Sequence, residues 1–376
     1  AKALEAQGKE IINLGIGQPD FRTPKHIVDA AKKSLDDGFH GYTPSNGLLE
    51  LRQGVSRHIK KMYGANVDAS RVVIMPGGKP TMFFAMLMFG QPGTEIIYPE
   101  PGFPIYESMI NYSGAKAVPM YLSEKNNFSF KAEEVLKLIN DKTRLIIINN
   151  PQNPTGNVWR EDELERMGQL ALDHNIVVIS DEIHADIVRK GHKYTPFAAL
   201  KNKEIVNNSL SFCAISKTFN MAGLKNAYYY SSNPALLGRV NQQHWPDVST
   251  LGVVATEAAY KYGGEWFDQA NVYMDDNHTF IEEYVKANMP RVGYTRNEGT
   301  YMTFLDFSQV IAAIGADELK ATYDRSTPEE NFQDWLVYKS GAYLNPGSMY
   351  GAGGAGHMRL NIASSRLVLK EVFDSI

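Results

Sequence analysis

Short apolar runs alternate along the chain with longer stretches in which apolar residues recur every three or four positions. The segments 71–75, 95–98, 117–121, 144–148, 176–180, 210–214 and 227–231 are rich in Val, Ile, Leu and Tyr and read as strands. In 144–148 every position after Arg144 is apolar, as expected of a strand covered on both faces. Helical spacing lies between these runs. The segment 79–89 is rich in Met and Phe, and 161–174 carries Leu164, Met167, Leu170 and Leu172. Buried strands separated by helices predict an α/β fold with a mainly parallel sheet covered on both sides.

The texture changes at both ends. A long polar helical stretch at 263–286 and short strands at 302–306 and 358–362 predict a smaller α+β domain. Residues 11–22 read as an extended arm, followed by a helix that opens at Thr23-Pro24 and another over 48–62. The expected division is an arm and part of the small domain at 1–30, a large domain at 31–265 and the C-terminal small domain at 266–376. The glycines of 351–356 match the dinucleotide pattern GxGxxG. The required strand before and helix after are missing. A flexible glycine-rich loop near a substrate entrance is expected there.

Composition narrows the function. Lys and Arg total 38 against 42 Asp and Glu, a net charge of −4, so the basic excess that nucleic acid or an anionic membrane surface requires is missing. No apolar run approaches the roughly 20 residues of a membrane span. The single cysteine, Cys213, excludes an intramolecular disulfide and a Cys-based zinc site, and the nine histidines show no metal-binding pair, so no metal is expected. A cytoplasmic location is expected.

The chemistry lies at the C-terminal ends of the predicted strands, where α/β sheets bind ligands. Gly77-Gly78 opens a helix whose first amides and positive end suit a phosphate. Phe103 can stack on a planar ring. Asp181 can keep a pyridine nitrogen protonated, because the opposite charge favours the charged ring. Lys217 follows another strand, and a lysine beside a cationic ring is partly neutral and nucleophilic. Together these residues describe a site for a phosphorylated aromatic cofactor.

The stretches LGIGQPDF (14–21), YTP (42–44), NPTG (153–156), SDEI (180–183), SKTF (216–219) and RLNI (359–362) resemble the class I/II aminotransferases of the fold-type I pyridoxal-phosphate (PLP) enzymes. They span almost the whole chain. The resemblance implies an aspartate-aminotransferase-like large domain and PLP as cofactor. It also implies transfer of an amino group between an L-amino acid and a 2-oxo acid through a Schiff base on Lys217, which then moves the substrate α-proton. Asp181 pairs with the ring nitrogen, Asn153 with the ring hydroxyl oxygen, and Phe103 stacks on the ring. Gly78, Lys79 and Ser216 hold the phosphate. Arg359 binds the substrate carboxylate, and Gly17 lies close to the substrate. Tyr42 reaches the phosphate of a neighbouring subunit, which implies a homodimer.

Three positions depart from the family's commonest pattern. His184 stands where Tyr is usual, Lys225 where Arg is usual, and Ala214 where Ser is frequent. His184 keeps a hydrogen-bonding ring beside the cofactor hydroxyl, and Lys225 keeps a charge for the phosphate without the bidentate fork. With DEIHAD (181–186), SKTFNMAGLK (216–225) and EGTY (298–301), these positions resemble the cystathionine β-lyase branch, which expels a sulfur group from the β-carbon. A C–S β-lyase is therefore the alternative. A PLP-sensing regulatory domain, which would need a basic helix-turn-helix segment, is remote. Tyr301, Tyr343 and the loop after Met349 are candidate lining residues without assigned roles.

Overall fold

The computed structural model describes residues 2–243 and 247–376. Its centre is a seven-stranded sheet of β1 (Val72–Met75), β2 (Glu95–Glu100), β3 (Lys116–Tyr121), β4 (Thr143–Asn149), β5 (Val177–Asp181), β6 (Ser209–Cys213) and β7 (Ala227–Tyr230). The strand order is β1-β7-β6-β5-β4-β2-β3. Neighbours from β6 across to β3 run parallel. β7 is antiparallel to both β1 and β6. The reason lies in the connection. Between β6 and β7 the chain forms only the lysine-bearing turn and a short 3-10 helix at Ala222–Leu224. Without a long crossover helix, the next strand runs back alongside the last.

The largely apolar pattern of the central strands reflects two separate cores. Ile147, Ile179, Leu210 and Phe212 face Met82, Ala85 and Met86 of the helix Gly78–Phe89. Their neighbours Ile146, Ile148 and Val178 face Leu164, Met167 and Ala171 of the helix Glu161–Asp173. Successive side chains point to opposite faces, so a strand covered twice is apolar along most of its length, and the buried serines Ser180 and Ser211 bond the Glu182 carboxylate.

A second, antiparallel sheet contains β8 (Gly293–Tyr294), β9 (Met302–Asp306), β10 (Asn345–Pro346) and β11 (His357–Asn361), in the order β10-β11-β9-β8. It packs with the 25-residue helix Gly264–Asn288 through Met274, Ile281, Leu305 and Leu360. The arm joins this side of the molecule. Ile12–Asn13 pairs parallel with Ala342–Tyr343, and the Asn361 amide donates to the Leu14 carbonyl at 2.7 Å.

Two local expectations change. The first helix spans Lys25–Asp36, with Pro24 at the N-cap and no side-chain cap. Thr23 does not cap it. Its hydroxyl donates to the Asn220 carbonyl at 2.7 Å and ties the arm to the turn after Lys217. The glycine-rich segment is two 3-10 turns, Gly347–Tyr350 and Ala352–Gly354, followed by a strand. It is packed, not loose. A Cβ at 351 would collide with the Glu100 side chain and one at 354 with the Gly347 carbonyl, so glycine is needed for close approach.

Candidate active site

The ends of β1, β4, β5 and β6, the arm and β11 surround a cavity of about 730 Å³. Gly17, Gly78, Lys79, Phe103, Asn153, Asp181, His184, Ser216, Lys217, Lys225 and Arg359 all line it. Tyr42 does not, and is 92% exposed.

β1 delivers the glycine turn. Gly77 has φ +100°, a left-handed conformation that costs other residues strain, and it turns the chain directly into the helix Gly78–Phe89. The first amides of that helix have no intrahelical carbonyl to bond. Beside Gly77, Lys225 also sits in the left-handed region, at φ +53°.

β4 and β5 are in register at Asn149 and Asp181, and the Asn149 amide group donates to the Asp181 carbonyl at 3.1 Å. Asn149 also accepts from the Asn153 backbone amide at 2.8 Å, which sets Asn153 beside the strand end. The Asp181 carboxylate accepts from the Tyr106 hydroxyl and from the Ile183 amide at 3.2 Å. Burial pushes its pKa up to about 7 against the pull of these two donors. Tyr106 meets Phe103 edge-on, with ring centroids 5.7 Å apart.

Lys217 sits where burial, aided by Arg359 and Lys79, pushes its pKa down to about 8, with Asp181 opposing. Its ammonium donates to the Gly17 carbonyl at 2.9 Å. The Tyr301 hydroxyl donates to the same carbonyl at 3.0 Å. His184 lies edge-on to Tyr301, 5.6 Å between centroids. Burial, then Lys217 and Arg359, push its pKa down to about 3, so the imidazole is neutral.

Arg359 comes from β11. Its guanidinium donates to Asn153 Oδ1 at 3.2 Å and to the Gly15 carbonyl at 2.6 Å, and lies over the Tyr350 ring. Asn345 holds the Gly15 carbonyl from the other side at 2.7 Å. A Cβ at Gly17 would lie 3.7 Å from the guanidinium nitrogens, in the space before them.

The residues fit a phosphorylated pyridine. Among the described residues, His184 Nδ1 and Arg359 Nε are buried without a hydrogen-bond partner, and unpaired buried polar atoms are costly unless a ligand satisfies them. Asp181 is a buried acid at the cavity wall, next to an aromatic face and opposite an amine. The chain matches the family "Aminotransferase class I and II" over residues 9–376.

The chain belongs to the class I and II aminotransferases.

It is 29% identical to cystathionine beta-lyase PatB of Bacillus subtilis over 96% of this chain and 90% of that protein. It is 27% identical to an aspartate aminotransferase of the same organism over 100% of this chain and 93% of that one. The PLP-bound C-S lyase of Staphylococcus hominis superposes with a TM-score of 0.88 at 26% identity, covering 99% and 94% of the two chains. This aminotransferase uses PLP as its cofactor.

Sequence reasoning missed Tyr106 and Asn345. Tyr106 is the second residue of the helix Ile105–Tyr112, while Phe103 precedes that helix, so no helical spacing in the sequence pairs the two. Asn345 offers no signal either, because its role depends on where the arm lies. Of the unassigned candidates, Tyr301 reaches the Gly17 carbonyl and Tyr350 lines the cavity, while Tyr343 packs behind Gly15.

Proposed function

We propose that this aminotransferase moves an amino group between an L-amino acid and a 2-oxo acid, with Lys217 as the cofactor-bearing and proton-carrying residue. The observation that carries this is the convergence of Lys217, Asp181 and Arg359 on one buried cavity. When bound, PLP supplies a positively charged ring that withdraws electrons from the substrate α-carbon. Asp181 holds the proton of the ring nitrogen, since a nearby cation restores its carboxylate. The neutral imidazole of His184 and the Asn153 side chain bond the ring hydroxyl, and Phe103 covers one ring face. The Gly78 and Lys79 amides, Ser216 and Lys225 hold the phosphate. Arg359 presents its planar fork to the substrate carboxylate beside Gly17. Lys217, with a pKa near neutrality, takes the α-proton and returns it.

Tyr42 is exposed and lies outside the cavity of its own chain, which supports a place in the neighbouring site of a homodimer. We place the domain limits at 1–30, 31–265 and 266–376, and the protein in the cytoplasm. No helix among the described residues is long and apolar enough to cross a membrane.

A second reading is favoured by His184 and Lys225 within the cavity: a C–S β-lyase. The two part on a spectrum. The holoenzyme is titrated with single amino acids, cystathionine included, and no oxo acid. Stoichiometric loss of the lysine-bound cofactor's absorbance, reversed by an oxo acid, is the transaminase result. Continuous release of pyruvate and ammonia from cystathionine would replace it with the lyase. A protein that shows no such band, and that Lys217→Ala leaves unaltered, is neither.

A further inference from the structure

Five residues beyond Asp181, the carboxylate of Asp186 is buried behind the cofactor cavity, whose lining residues do not include it. A buried carboxylate is costly unless paired and hydrogen-bonded. Asp186 has three donors. His58 Nε2 lies 2.8 Å from Oδ1, and the Tyr63 hydroxyl donates to the same oxygen. The Thr218 hydroxyl donates to Oδ2 at 2.7 Å. His58 and Tyr63 belong to the helix Leu49–Tyr63, and neither lines the cavity. Thr218 is the residue that follows Lys217. The imidazole is itself held by the Tyr260 ring, 4.8 Å between centroids, and by Tyr63 edge-on.

The turn carrying Lys217 is otherwise held by backbone bonds and, at its far end, by Asn220, whose carbonyl accepts from Thr23 at 2.7 Å and whose side-chain amide donates to the Phe21 carbonyl at 2.6 Å. Phe219 donates to the Ile215 carbonyl at 3.1 Å and Met221 to the Ser216 carbonyl at 2.9 Å. The two Asn220 bonds lie three residues past the lysine, so a turn fixed there can still pivot about that end. A side-chain bond from Thr218 to a carboxylate anchored on another helix removes that freedom. Thr218 shares a peptide plane with Lys217, so the anchor sets the direction in which the lysine side chain leaves the backbone.

We propose that Asp186 is a positioning residue for Lys217, acting through the Thr218 hydroxyl and anchored by His58 and Tyr63. This rests on the reading of Lys217 as the cofactor lysine. Its effect is on the geometry of the amine, because a small misplacement of a reacting group is expensive in rate.

The test uses holoenzyme and cofactor-free protein of the full chain. PLP is added to the cofactor-free form, the adduct is trapped at intervals with borohydride, and the labelled lysine is located by mass spectrometry. Thr218→Val keeps shape and volume and removes only the donor. It is expected to slow formation of the trappable adduct and to lower kcat, each about tenfold, with KM within about threefold. Thr218→Ser restores both. Asp186→Asn moves both rates in the same direction as Thr218→Val. If Thr218→Val forms the adduct and turns over at the wild-type rates, with only its melting temperature lowered, the network is a structural staple and the proposal falls. If the wild-type protein yields no adduct on Lys217, the cofactor reading fails first, and the trapped residue itself reports that distinction.

Discussion

Lys217 and Asp181 occupy one cavity but carry opposite consequences of burial. Burial disfavours the charged form of each, lowering the lysine to about 8 and raising the aspartate to about 7. At pH 7 about one Lys217 in ten is then neutral, enough to attack a carbonyl. Lys217→Ala is expected to lower turnover by about 10²–10⁴-fold or more, read by initial rates, since it removes both the cofactor anchor and the base. The same shifts govern stability without cofactor. An aspartate whose folded pKa is raised from 3.8 to about 7 binds more protons folded than unfolded between those values, so its contribution is lost as pH rises through that window. A lysine lowered from 10.5 to about 8 binds more protons unfolded between those values, so stability recovers as pH rises from about 8 to 10.5. Denaturant titrations of the cofactor-free protein across pH should show the fall, and Asp181→Asn should remove it. The acid, the amine and Arg359 were legible because each ends or follows a readable strand or lies in a recognisable motif. The bonds that orient them were less so. Tyr106 needs the helix after β2 to be placed before its hydroxyl can be aimed at Asp181, and Asn345 acts on a carbonyl 330 residues away.

The β1–Gly77–helix unit shows what an element adds. Gly77 at φ +100° lets the chain pass from strand to helix in a conformation that a residue with a side chain adopts only under strain, while a Cβ there would make ordinary contact with Lys225 at 3.6 Å. Gly77→Ala should cost about 1–3 kcal/mol of stability. It should also weaken PLP binding, measured by equilibrium dialysis, because the strain tilts the amides of the first helical turn. The central strands were readable because double-faced burial leaves few polar positions to confuse the pattern, the exceptions being small buried serines such as Ser180 and Ser211. β7 is equally apolar, and nothing in its composition marks its reversed direction. That follows from the connection, where the lysine turn stands in place of a crossover helix. The glycine-rich segment misled in the other direction. Glycine permits both looseness and close approach, and only the positions of Glu100 and Gly347 show that approach is what it serves here.

On the scale of the whole molecule, the cavity draws on the large sheet, the arm and β11 together. If two copies of the chain pair and each lends Tyr42 to the other's site, Lys217→Ala and Tyr42→Ala chains should complement each other. Mixing and refolding the two weakly active proteins is expected to raise activity above either alone, as half of the mixed dimers' sites would hold both native residues. Activity equal to the sum of the parts would place each site within one chain. The α/β architecture and the arm were foreseeable from patterning and motifs; the expectation for Tyr42 came only from the resemblance of its motif, since an exposed residue carries no periodic signal.

Gly15 and Arg359, bonded at 2.6 Å, are 344 positions apart, whereas the residues proposed to grip the cofactor run from Gly78 to Lys225. A chain is made from its N-terminus, and its parts fold as they appear. The cofactor half of this site is thus synthesised when about two-fifths of these 376 residues are still to come, while the substrate half waits for the strand His357–Asn361 to return to the arm. During synthesis, the capacity to hold PLP is expected to precede the capacity to choose what reacts with it.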